Sequence, residues 1–407
     1  MAVRRRYIPA LDGIRALAVA GVLLYHLGLG WAQGGMIGVT VFFVLSGYLI
    51  TRLLIRERLT TGRIDLKGFW IRRIRRLMPL VVLVIVVTAA LCTLFNHVML
   101  TKMRGDILPS LLFFNNWWQI LHQVSYFNAV GDPSPLTHFW SLAIEEQFYL
   151  VWPLLLLATM DTGVRRKTTR RATLALALAS ALAMALLYNP AADPSRVYYG
   201  TDTRAFSLLL GAWLAFFSDR ELSAPAVLGR LAQAGTRVPV LSALLRALPA
   251  QVRRAPLDIL GILGLAGLAL MIVFTNGYSA FPYHGGTLLC SVLAVGLIAA
   301  STRPESPLTR MLSTRPLVWL GKRSYGIYLW HYPLFLLMNP SADVSDTPWW
   351  ATILQIALVI AVSALSYRFV ETPCRHGAIG HAWAALKAHK DALPAYAHSL
   401  PCMWAVP

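Results

Sequence analysis

The chain has 407 residues, 57% of them hydrophobic and only 14% charged, with a mean hydropathy of +0.57. That composition excludes an ordinary soluble enzyme, and continuous apolar runs favour membrane-crossing helices over a barrel, whose strands alternate over short segments. The net charge of +19 would turn a soluble chain toward nucleic acid, but in a membrane chain the placement of the charge encodes orientation.

Taken in order, the apolar runs predict an all-α polytopic bundle of ten spans near 12–30, 37–55, 77–96, 141–159, 172–188, 204–218, 257–275, 286–300, 317–338 and 351–371. With the N-terminus in the cytoplasm, the basic clusters fall inside: Arg4 to Arg6, the run from Arg52 to Arg76, "RRKTTRR" at 165–171, and the arginines of 220–254 and 303–315. The outer loops then receive only Lys102, Arg104, Arg196 and Arg204, so both termini are expected in the cytoplasm. Asp12 and Arg15 inside the first run, with no small-residue cleavage site at its end, argue against a signal peptide. The segment 220–254 lacks the interleaved aromatics of a nucleic-acid binder and reads as an amphipathic surface helix on anionic lipid. Cys92, Cys290, Cys374 and Cys402 show neither metal nor redox spacing, and no metal site is expected.

Charged groups inside spans cost about 2.5–3.5 kcal/mol each at mid-helix and so face a protein interior. The first span, "LDGIRALAVAGVLLYHLGLGW", carries Arg15 near one end and His26 near the other. Eleven residues advance a helix by roughly 16 Å and about three turns, which puts both side chains on almost the same face at different depths. The stretch "THFWSLAIEEQFYLVWP" brings in His138, Glu145 and Glu146; adjacent residues diverge by about 100°, so one of the two carboxylates is expected in a shared cavity. Either carboxylate is placed to orient His26 as a base, or to pair with a cation between helices. "GFWIRRIRRLMP" sets Arg72, Arg73, Arg75 and Arg76 before the third span, more charge than topology needs and suited to a polyphosphate. Asp202 and Arg204 are expected to pair at the start of the sixth span. Ser324, Tyr328 and His331 recur at helical spacing near Tyr325.

In this combination the chain resembles the membrane-bound acyltransferases of family 3, which O-acylate bacterial surface glycans, lipids and macrolide sugars. The matching stretches are "YIPALDGIRALAVAGVLLYH", "VTVFFVLSGYLITRLL", "FWIRRIRRLMP", "SPLTHFWSLAIEEQFYLVWP", "YGTDTRAFSLLLGAWLA", "LGKRSYGIYLWHYPLF" and "LSYRFVETPCR", in family order from residue 7 to about 375. The resemblance implies a multi-pass protein of the bacterial cytoplasmic membrane that moves an acyl group, acetyl by preference, from acyl-CoA to a hydroxyl of a glycan, glycolipid or glycosylated small molecule. It implies donor binding by Arg15, Arg72, Arg73 and Arg76, catalysis by His26, Glu145, Arg15 and His331, and acceptor contacts from Glu146, Asp202, Arg204, Ser324, Tyr325 and Tyr328. The transmembrane acyltransferase domain is expected over 1–376 and a short cytoplasmic tail over 377–407, too short for the outer hydrolase-like domain of longer relatives. The rival reading is a proton-coupled transporter or flippase, which uses the same intramembrane residue types, although no inverted repeat of interrupted helices is visible.

Overall fold

The computed structural model describes residues 7–127, 133–161, 166–217, 256–339 and 348–377. The arginines at 4–6, the amphipathic segment expected at 220–254 and the tail beyond 377 lie outside the described residues. All regular structure among the described residues is helical: α1 (Pro9–His26), a 3₁₀ turn (Gly30–Met36), α2 (Ile37–Thr61), α3 (Leu66–Phe95), α4 (His97–Leu111), α5 (Asn115–Leu121), α6 (Phe139–Asp161), α7 (Arg166–Leu187), α8 (Ser195–Tyr199), α9 (Thr201–Ala215), α10 (Pro256–Phe274), α11 (Thr287–Ser301), α12 (Pro307–Leu312), α13 (Arg315–Met338), α14 (Trp349–Ser366) and α15 (Thr372–Arg375).

Every expected span coincides with one of these helices, but seven, not ten, are long and apolar enough to cross a membrane on those grounds alone. The three that fall short are α1, α9 and α13. The 15 residues of α9 reach only about 22 Å against a hydrocarbon core of about 30 Å. Asp12, Arg15 and His26 lower the hydropathy of α1, and Lys322, Arg323 and His331 that of α13. These helices tolerate such polarity because they sit inside the bundle: α1 packs along α13 and α2, and α2 along α9.

Peripheral helices show the reverse pattern. In α7 and α14 only 22% of the most apolar window is covered by protein, against 78% for the window in Gly30–Thr61. Leu178, Leu182 and Leu186 of α7, and Ile353, Leu354 and Leu358 of α14, stay exposed, as expected of side chains that face lipid. The central α2–α9 crossing is held close by two small residues. A Cβ at Gly47 would stand 1.8 Å from the Leu208 carbonyl oxygen, and one at Gly211 2.0 Å from that of Val44. Only glycine lets the two backbones touch this way.

The basic stretch at Arg72–Arg76 is helical. It is the first part of α3, which begins where the Asp65 carboxylate caps the Gly68 N–H at 2.9 Å and runs 30 residues through Pro79. The arginines therefore project from the same rod that crosses the bilayer.

Candidate active site

At the end of the bundle that carries these arginines, α1, α2, α3, α6 and α13 line a partly open cavity of about 80 Å³. Cations reach it from three helices, Arg15 from α1, Arg73 and Arg76 from α3, and Lys322 from α13, while Glu145 and Glu146 of α6 both line it. The expectation that only one of the two carboxylates would enter is therefore corrected: the cavity is wide enough to span the 100° between neighbouring side chains. Glu145 accepts hydrogen bonds from the Ser46 and Tyr149 hydroxyls. The Tyr149 ring lies 4.8 Å from the Arg73 guanidinium, a cation–π contact that fixes the arginine at the wall. Arg15 is braced by Asp12 at 3.6 Å. Arg72 belongs to a different face: half-exposed, it pairs with Glu57 at 3.7 Å and does not line the cavity, because residues 72 and 73 point about 100° apart.

Ser324, Tyr325 and Tyr328 of α13 complete the lining. Tyr328 also ends the cavity. Its hydroxyl lies 2.6 Å from Ser141 Oγ and donates to the His138 carbonyl at 3.1 Å, and its ring meets Phe42 edge-on. Tyr325 instead donates to the Leu77 carbonyl at 3.0 Å, which ties α13 to α3.

Beyond Tyr328 lies a second group, held among the described residues by carbonyls, hydroxyls and rings. His26 Nδ1 is 3.1 Å from His331 Nε2 and 3.0 Å from the Val22 carbonyl oxygen, and His26 Nε2 is 3.0 Å from the Tyr126 hydroxyl. His331 Nδ1 is 2.6 Å from the Tyr328 carbonyl oxygen. His138, fully buried, bonds the Leu329 carbonyl through Nε2 at 3.2 Å, and its ring centroid is 5.5 Å from that of His331. Aromatic rings flank the group: Tyr25, Tyr126 and Tyr332 pack around His26, and Phe335 against His331. Among the described residues no group of three or more His, Cys, Asp or Glu could hold a metal ion.

Arg15 and His26 thus sit in two linked compartments, as their spacing on α1 predicts. Glu145 does not reach His26; the partners of His26 are His331 and Tyr126. Asp202 and Arg204 do not pair either. Asp202 takes Arg196 in two bonds of 3.1 and 2.9 Å. Arg204, 2% exposed, donates to Thr40 Oγ1 at 3.0 Å and lies among the rings of Phe43, Trp140 and Tyr198. Burial pushes the Tyr198 phenol up to about 12 against the opposing pull of Arg204, so this guanidinium is held by neutral π faces rather than by an anion. Tyr126, Ser46 and Ser141 escape the sequence reading, since single hydroxyls in apolar surroundings carry no spacing signal.

The acyltransferase family 3 model, described as an acyltransferase domain, matches residues 8–368. The chain belongs to that family. Among its relatives, the peptidoglycan O-acetyltransferase OatA of Listeria monocytogenes is 44% identical over 371 residues, covering 91% of this chain and 56% of that protein. The O-acetyltransferase OatA of Staphylococcus aureus is 38% identical over 375 residues, covering 91% and 57%. The chain therefore spans a little over half the length of these relatives. No solved structure matches it. In family 3 terms, the matched region takes in both compartments, from Arg15 and His26 on α1 to His331 on α13.

Proposed function

We propose that this family 3 membrane domain moves an acetyl group from acetyl-CoA to a glycan hydroxyl, and that the acceptor is of the peptidoglycan class for which its relatives are named. The observation that carries the reading is the adjacency of two unlike compartments: a cavity gathering Arg15, Arg73, Arg76 and Lys322, and beyond Tyr328 an imidazole pair of buried His331 and partly buried His26. Polyphosphate calls for fixed guanidinium donors, and hydroxyl activation calls for a neutral imidazole. In this reading α1, α9 and α13 also cross the bilayer, making ten crossings with both termini cytoplasmic. The domain is residues 1–376, and the basic end of the bundle faces the cytoplasm, where acyl-CoA is found.

The nucleotide phosphates are held by Arg73 and Arg76, with Arg15 and Lys322 deeper in the cavity. Glu145 and Glu146 accept from hydroxyl and amide groups of the donor or acceptor. The pantetheine arm runs toward Tyr328 over the roughly 16 Å that separates Arg15 from His26 along α1. His26 removes the proton of the acceptor hydroxyl as its oxygen forms a bond to the thioester carbonyl carbon. The C–S bond then breaks, the thiolate leaves with the electron pair, and the proton passes from His26 to sulfur. Arg72, turned toward Glu57, serves the bilayer surface rather than the donor.

The test is transfer of labelled acetyl from acetyl-CoA to peptidoglycan fragments by the purified chain in nanodiscs. Transfer that vanishes in His26→Ala while acetyl-CoA still binds supports the reading. If the wild-type protein neither binds nor consumes acetyl-CoA, the donor assignment fails and the buried charges are those of a carrier.

A further inference from the structure

The hydrogen bonds around the two facing imidazoles leave one consistent arrangement of protons. A carbonyl oxygen only accepts, so the 2.6 Å contact between His331 Nδ1 and the Tyr328 oxygen requires the proton on Nδ1. Neutral His331 then carries its lone pair on Nε2. That atom faces His26 Nδ1 at 3.1 Å, and the Val22 carbonyl oxygen faces the same nitrogen at 3.0 Å. Both partners are acceptors, so His26 Nδ1 bears the proton and shares it between them. The lone pair of His26 is left on Nε2, directed at the Tyr126 hydroxyl 3.0 Å away, which donates to it. Shifting either ring to its other tautomer sets two N–H groups or two lone pairs against each other.

From this we infer that His331 is a positioning residue: through its Nε2 lone pair it selects the Nε2-basic form of His26 and stabilises the imidazolium that forms there. The inference rests on the reading of His26 as the base. The Tyr328 carbonyl orients His331, and His331 orients His26, so a neutral imidazole stands where hydrolytic triads place a carboxylate. The substitution suits its surroundings. Rings of Tyr25, Tyr126, Tyr328, Tyr332, Phe335 and His138 face the pair, and a permanent anion buried among them would lack compensation. During turnover the acceptor hydroxyl takes the place of the Tyr126 hydroxyl. Its proton moves to His26 Nε2 as the C–O bond forms, and it leaves for the thiolate sulfur once the C–S bond has broken. His331 neither gains nor loses a proton, and its lone pair takes a stronger hydrogen bond while His26 is charged.

Three variants in nanodiscs test this with labelled acetyl-CoA and peptidoglycan fragments. His331→Leu removes the acceptor, and His331→Gln restores an amide oxygen near the position of Nε2. We expect the leucine variant to lose about 10²-fold in kcat with KM for acetyl-CoA unchanged, and glutamine to recover a tenfold share of that loss. A leucine variant with wild-type kcat, a glutamine variant no better than leucine, or an effect confined to KM overturns the inference. The ¹⁵N shifts of His26 in histidine-labelled wild-type protein give a readout independent of turnover and of variant folding. They should report a protonated Nδ1 and a bare Nε2, and the opposite tautomer refutes the assignment. His26→Ala separates the two claims: retained transfer in that variant overturns the base itself, whereas its loss beside an unaffected His331→Leu overturns only the positioning role.

Discussion

The two compartments differ in the way they hold polar groups inside a membrane. The arginine cavity gathers ionisable side chains of both signs: Glu145 and Glu146 stand among Arg15, Arg73, Arg76 and Lys322, with Asp12 behind Arg15 and the Tyr149 ring against Arg73. The histidine compartment holds its rings with carbonyls and hydroxyls instead, from Val22, Tyr328, Leu329 and Tyr126, and among the described residues leaves His138 Nδ1 without a hydrogen-bond partner. Charge suits the grip on a charged ligand, which must be bound and released. Neutrality suits a base that must be free to accept a proton at the moment of reaction.

If the comparison is right, substitutions on the two sides fail differently. The largest effect is expected from His26→Ala, a fall in kcat of about 10³-fold or more with donor affinity retained, read by turnover beside equilibrium binding of acetyl-CoA. Loss of donor binding in that variant would erase the boundary between the compartments. Next comes Arg73→Ala, whose lost charge-assisted bonds, worth about 1.5–3 kcal/mol, should raise KM for acetyl-CoA by about 10- to 100-fold while kcat changes little. Tyr328→Phe keeps the ring at the boundary and removes the hydroxyl shared with Ser141 and the His138 carbonyl. A several-fold fall in kcat is expected, from a bond worth about 1 kcal/mol. Arg72→Ala should be the mildest, within about twofold on every kinetic constant, because a pair between half-exposed Arg72 and Glu57 at 3.7 Å contributes about 0–1 kcal/mol. An Arg72 effect as large as that of Arg73 would place the donor outside the cavity.

Much of the architecture is legible in the amino-acid sequence. Apolar runs mark where the helices lie, since in hydrocarbon the backbone has little alternative to satisfying itself within a helix. They are weaker guides to which helices cross, because α1, α9 and α13 exchange apolarity for the polar groups they carry at the centre of the bundle. Within one helix, spacing predicts that Arg15 and His26 share a face, and that Ser324 and Tyr328 do. Between helices it is silent. Nothing in the neighbourhood of Glu145 says that its partners are Ser46, 99 positions away, and Tyr149 rather than His26. The proximity of Asp202 and Arg204 in the chain suggests a pair, yet Arg196 on the preceding short helix α8 takes the carboxylate and aromatic faces take the guanidinium. Rotation about the helix axis decides such partners, and one residue of register separates the cavity-lining Arg73 from the outward Arg72.

The stop that Tyr328 makes at the inner end of the cavity has a bioenergetic consequence. Neither His26 nor His331 lines the cavity, while Tyr328 and Ser141 do. A water-filled shaft joining arginines on one side to titratable rings on the other would let protons drain down the membrane potential. A phenol latched to Ser141 and to the His138 carbonyl interrupts that shaft at rest, and hydrogen bonds worth about 1 kcal/mol each yield to thermal motion or to an arriving thioester. On this reading the insulation of the membrane between turnovers rests on one tyrosine ring rather than on a moving domain.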